Sequence, residues 1–229
     1  DSKIAVEIKS KIKKGKNFKE GDTTKVLRLI TNAGIDAKRL GDYSSDRLLL
    51  LTNFDNDPES AKVAFKISER FNNNDLNVDG KDPSDVALEL CTDSDIGLDV
   101  ETLDLLTSVE ESSESILVGL NRVFSKTGSD KIKVQKRKAS FFKIVNSSQS
   151  NLLLSKLSEK PSAIDGQSSV NPVEQLFLLD EKVIEKIAAV DTAPDVLAGK
   201  AIEQLKKSSF SASLNLDLDP ANLDLSLIH

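Results

Sequence analysis

Apolar residues spaced three and four apart, set between turn signals, constrain this chain more than any other feature. The clearest case follows Asp57, Pro58 and Glu59. Asp57 offers a side-chain oxygen to the open N–H groups of a first turn. Pro58 brings a φ already suited to it, and Glu59 complements the positive end of the helix dipole. Val63, Ala64, Ile67 and Phe71 then fall on one stripe, and Asn72-Asn73-Asn74 closes the segment.

The same logic extends along the chain. Asp22 or Thr23 caps a helix carrying Val26, Leu27, Leu29 and Ile30, closed by Gly34, and Ser44 or Ser45 opens a short one through Leu51. A further helix starts near Pro83-Ser84 with Val86, Leu88 and Leu90. Two more follow, one with Val100, Leu103 and Leu106, the next with Ile116, Leu117, Leu120, Val123 and Phe124, ended by Gly128. Asn171-Pro172 leads into a helix with Val173, Leu176, Phe177, Val183, Ile184 and Ile187. Pro194 opens another with Val196, Leu197, Ala201, Ile202 and Leu205.

A period of two competes in three places. Ile4, Val6 and Ile8 alternate as in a strand, although Ile4, Ile8 and Ile12 also share a helical face. Ile132 and Val134 alternate with lysine ahead of Phe141, Phe142, Ile144 and Val145, which reads as a strand. In the tail, Leu214, Leu216 and Leu218, then Leu223, Leu225 and Leu227, alternate with polar residues around Asp219-Pro220-Ala221-Asn222. That pattern is a β-hairpin with one apolar and one acidic face. The expected fold class is therefore α+β, predominantly helical, with a C-terminal β-hairpin. The expected organisation is a helical region over 1–146, a linker-containing segment over 147–172, and a helix pair plus hairpin over 173–229.

Composition narrows the chemistry. The one His is His229, the last residue, and the one Cys is Cys91. A Ser-His-Asp or Cys-His site needs a positioned imidazole, and zinc needs three or four His, Cys or carboxylate ligands. One terminal His and one Cys make neither, and no glycine-rich phosphate loop occurs. Aromatics make up 4% of the chain and Trp is absent, which leaves little for an open stacking platform. The longest apolar run, Leu48 to Leu51, is far short of the roughly 20 residues of a membrane span. The first residue is Asp1, from which a processed or excised chain is expected, exported to the extracellular space or periplasm.

Charge is segregated beneath a net of −6. Lys3, Lys9, Lys11, Lys13, Lys14, Lys16 and Lys19 make the N-terminal end basic, as a solvated end, a tether or a nucleic-acid arm. Residues 75–114 are acidic with Lys81 the one base. Lys131, Lys133, Lys136, Arg137, Lys138 and Lys143 form a second basic run beside Phe141 and Phe142. Such a run contacts nucleic acid through phosphate, or guards the exposed face of an edge strand.

One short motif carries a mechanism. In Asp75-Leu76-Asn77-Val78-Asp79-Gly80-Lys81 the oxygens of Asp75, Asn77 and Asp79 alternate, Gly80 allows a sharp turn, and the Lys81 carbonyl follows. This resembles the first half of an EF-hand or dockerin calcium loop, in which those positions ligate Ca²⁺. The second half departs from it. Asp82 stands where an apolar residue is usual, and Val86 stands where the final acid should be. One apolar residue between Lys81 and Asp82 would make Asp85 the last ligand, and a Met, a residue type wholly absent from this sequence, is the candidate for it. The resemblance covers about 15 residues and implies Asp75, Asn77, Asp79, Lys81 and Asp85 as the metal site. The alternative is an Asn/Asp-rich turn between helices. A second acidic stretch, Asp93 to Asp99, has the acids without the spacing.

Three functions fit these features. The first is a non-enzymatic interaction or structural module with a protein partner, stabilised by Ca²⁺. The second is an assembly or virion-type protein using Lys131–Lys143 on nucleic acid or an acidic partner. The third is a hydrolase working with carboxylates alone.

Overall fold

Short polar residues set where the helices begin. The side chain of Asp36 accepts from the Lys38 N–H at 2.9 Å and that of Ser44 from the Arg47 N–H at 3.1 Å. Asp57, Asp82, Asn171 and Asp180 do the same for the helices that follow them. The computed structural model describes residues 2–15, 17–72, 77–147, 150–158, 171–190 and 193–207. Within them the chain divides into two compact units, Asp1–Asp104 and Leu105–His229.

The first unit comprises α1 (Ser2–Lys14), α2 (Asp22–Thr31), α3 (Ala37–Asp42), α4 (Ser45–Leu51), a single 3₁₀ turn (Thr52–Phe54), α5 (Pro58–Phe71) and α6 (Pro83–Thr92). The unit boundary falls inside α7 (Val100–Leu106). Helix α6 packs on α4 and α5, and α1 packs on α3. Val26, Leu29, Leu40, Leu48, Leu51, Ile67 and Phe71 fill the core between them. Each such side chain contributes roughly 1.5–3 kcal/mol on burial.

The second unit comprises α8 (Glu110–Phe124), α9 (Gly128–Val145), α10 (Asn151–Ser158), α11 (Pro172–Leu178), α12 (Glu181–Ala189) and α13 (Pro194–Lys207). Its packing follows a rule: α8 lies on α11, α9 on α12 and α10 on α13. Phe141 of α9 meets Phe177 of α11 with ring centroids 4.8 Å apart, and Phe124 of α8 meets Phe177 edge-on at 5.8 Å. Asn171, buried at the start of α11, donates from Nδ2 to the Ser115 carbonyl of α8 at 2.6 Å.

The α+β expectation is overturned. Among the described residues the fold is all-α, with thirteen α-helices and no β-strand. Ile4, Val6 and Ile8 lie in α1, where Ile8 and Ile12 are buried while Val6 is 67% exposed. Ile132 and Val134 lie in α9, with Ile132 62% exposed and Val134 buried. Two alternating apolar residues are too few to fix a period. The longer spacing of Val134, Phe141, Ile144 and Val145 puts all four on one buried helical face. The edge-strand reading of the lysines falls with that strand. Gly128, expected to end a helix, begins α9 at φ 59°. The long helix expected after Pro172 is broken, because Asp180 caps a new one. The expected C-terminal hairpin, Leu214 to Leu227, lies outside the described residues. No described helix is long and apolar enough to cross a membrane.

Candidate functional site

The candidate loop joins α5 to α6. Of its expected ligands, Asp75 lies outside the described residues; Asn77, Asp79, Lys81 and Asp85 are placed. Asp79 and Gly80 form a tight reversal, with φ 52° and 87°. Positive φ at both central positions is the geometry of the Asp-Gly turns that join antiparallel backbone. Val78 and Lys81 pair across it, each N–H reaching the other's carbonyl at 3.1 Å. The Asn77 side-chain oxygen accepts from the Gly80 N–H. Val78 is 1% exposed, so an apolar anchor pins the turn to the core of its unit.

The acids after the turn are already paired. Arg47, the first charged residue ahead of the Leu48–Leu51 run in α4, is itself buried. Its Nη2 lies 2.6 Å from the Asp82 carboxylate and its Nε 2.9 Å from that of Asp85. Its Nη1 donates to the side chain of Asn72, the residue that ends α5. The guanidinium carbon lies 5.1 Å from the centre of the Tyr43 ring, within cation–π range. Tyr43 in turn donates its hydroxyl to Glu69, which pairs with Arg39 at 2.9 Å. One chain of contacts thus ties α3, α4, α5 and α6 together. Burial, then the facing Glu69 carboxylate, pushes the Tyr43 phenol far above its ordinary range.

The described donors of the loop already have partners within the chain. Arg47 already engages Asp85 Oδ1, and an ion bound to the same carboxylate at about 2.3–2.6 Å would sit close to a fixed positive charge. The Lys81 carbonyl accepts from Val78, and the Lys81 ammonium pairs with Glu89 at 2.6 Å. No group of three or more His, Cys, Asp or Glu among the described residues is placed to hold a metal ion. What agrees with the loop pattern is the left-handed Gly80 and the inward-turned Asn77. The second acidic stretch is a helix start: Asp99 accepts from the Thr102 N–H at 2.6 Å, while Ile96 and Leu98 are buried.

Sequence reasoning missed Arg47. Its partners lie 25 to 38 residues away, so no local spacing records the cluster. The one available signal was a lone Arg leading an otherwise apolar run, opposite an acidic segment. The thiol of Cys91 offers no alternative centre, since burial, then Asp99 and Glu101, push it well above the usual thiol range and away from the reactive thiolate.

The basic run lies on α9. Lys133 pairs with Asp130 at 3.3 Å, Lys136 approaches Glu181 of α12 at 3.9 Å, and the Arg137 guanidinium donates to the Phe177 carbonyl. Lys133, Lys136 and Lys143 are exposed, and Lys136 and Lys143 lie on the side of α9 that also carries Ile132. No protein family matches this sequence, and no curated protein or solved structure matches it.

Proposed function

We propose that this chain is a non-enzymatic helical interaction module that meets a protein partner through the outer face of α9. The observation that carries the reading is Ile132, 62% exposed near the start of α9, with the exposed Lys136 and Lys143 further along the same side of the helix. An exposed apolar side chain followed by long basic ones along one side of a helix suits an acidic, amphipathic partner surface. Lys and Arg stems add apolar area, while their charges steer the approach. The polar network of α3 to α6 supports the same reading, because its ionised groups are spent on one another and on helix caps. None is held as a poised nucleophile beside a base, the arrangement covalent catalysis needs.

The test compares the whole chain with an Ile132→Asp/Lys143→Glu variant in affinity capture from native extract, with and without nuclease. Both positions are exposed, so the variant should fold as the parent does. The reading expects a protein held in near-stoichiometric amount by the parent, resistant to nuclease and lost from the variant. Identical capture by both forms would refute it. Nuclease-sensitive capture, weakening steeply between about 50 and 200 mM salt, would replace it with nucleic-acid binding through Lys131–Lys143.

A further inference from the structure

We propose that Arg47 is the resident cation of the α5–α6 junction, doing for this loop what a bound calcium ion does for the loops it resembles, and so freeing the junction from divalent metal. The contacts make the case. A structural ion in such a loop neutralises crowded acids and fixes the angle between the helices on either side. The Arg47 guanidinium reaches Asn72 at the end of α5, Asp82 at the cap of α6 and Asp85 in its first turn. It therefore bridges both ends of the loop from a third helix, α4.

The chemistry of the two cations differs in ways that match the site. Ca²⁺ takes six to eight oxygens on all sides. A guanidinium is planar, presents donors along its edge, and stacks on aromatic faces. Here the donors point at oxygen acceptors, and the Tyr43 ring lies 5.1 Å from the guanidinium carbon. An aromatic face is a poor neighbour for a hydrated divalent ion and a good one for Arg. Leu48 and Leu51, fully buried in the same helix, hold α4 in place beneath the charge. Because this cation is covalently part of α4, it cannot be lost by dissociation or chelation.

The inference does not depend on the α9 proposal, and its test uses a separate readout. Thermal unfolding of the full chain is followed in about 10 mM Ca²⁺, in equal Mg²⁺ and in chelator, well above the affinity expected of a weak extracellular-type site. The parent should melt at the same temperature in all three. Arg47→Met should lower the midpoint by several degrees, since it removes the charge that holds two partly exposed carboxylates together at the start of α6. Asp82→Asn/Asp85→Asn should also lower it, by stranding the guanidinium instead. Combining all three substitutions removes the charges together, and this triple variant should melt above Arg47→Met. Should Arg47→Met fail to fold, the parent in Ca²⁺ and the triple variant against the Asp82→Asn/Asp85→Asn form still decide. A parent midpoint raised by Ca²⁺ more than by Mg²⁺ would overturn the proposal. So would a triple variant no more stable than the weaker of its two parents.

Discussion

Replacing Gly119 by Ala should destabilise the second unit, although it swaps the poorer helix former for the better one. Gly119 lies within α8, directly under Asn171. A Cβ added there would stand 2.2 Å from Asn171 Oδ1, 2.7 Å from its Cγ and 2.9 Å from Val173 Cβ. All three distances are shorter than real contacts allow, so either α11 lifts off α8 or Asn171 leaves its place. Losing Asn171 removes the α11 cap, worth about 1 kcal/mol, and leaves buried polar groups unpaired at about 1–3 kcal/mol. Against this stands a gain of about 1 kcal/mol in helix propensity. The net loss should be about 1–3 kcal/mol. Urea unfolding followed by far-ultraviolet circular dichroism measures it as a lower midpoint at unchanged slope. Gly41→Ala is the matched control: Gly41 lies in α3 with no heavy atom within 4 Å of an added Cβ. That change should stabilise by up to about 1 kcal/mol. If Gly119→Ala also stabilised, the close approach of α8 and α11 would be wrong.

Two further outcomes follow from the ionisable groups. Burial raises the Asp104 carboxyl, but Lys66 at 2.8 Å and Arg70 at 2.6 Å more than offset it, so its value in the fold is lowered. A lowered carboxyl contributes stability in full above its unfolded value of about 4 and loses it as pH falls through the folded value. Asp104→Asn should therefore destabilise at pH 7 and change little at about pH 2, as read from melting midpoints across that range. Tyr43 is the chain's one Tyr, and Trp is absent, so phenolate absorbance reports this residue alone. It should stay silent in the folded protein to roughly pH 11, beyond the ordinary phenol value near 10, and appear on unfolding in urea at the same pH. A normal titration in the folded chain would remove the buried Tyr43–Glu69 bond.

Helix starts were the most legible part of this chain, because an N-cap and its helix are adjacent in sequence. Asp57-Pro58-Glu59 and Asn171-Pro172 each place a cap and a proline where α5 and α11 begin. Period was less legible where the alternating run was short. At Ile132 and Val134 two residues suggested a strand, and only the heptad-length spacing to Phe141 shows which face α9 buries. The Asp180 cap was hidden inside what read as one apolar stripe from Val173 to Ile187. In the candidate site, the turn at Gly80 was legible because its demand for positive φ is local. The partner of Asp85 was not, because a buried ion pair between α4 and α6 is a tertiary fact. Nothing near Asp85 distinguishes a carboxylate awaiting an ion from one already holding an arginine.

The pairing of α8 with α11, α9 with α12 and α10 with α13 also orders events in time. The first unit is closed mainly by helices that are near neighbours in sequence, so its contacts form over short loops. The second unit matches each helix with the third one after it, and none of those three pairs can form until the chain beyond residue 171 exists. During vectorial synthesis α8, α9 and α10 therefore emerge with only part of their apolar faces covered, by the packing of α10 and α9 on α8. That interval, rather than any weakness of the finished fold, is when this protein is most open to aggregation and to chaperone capture.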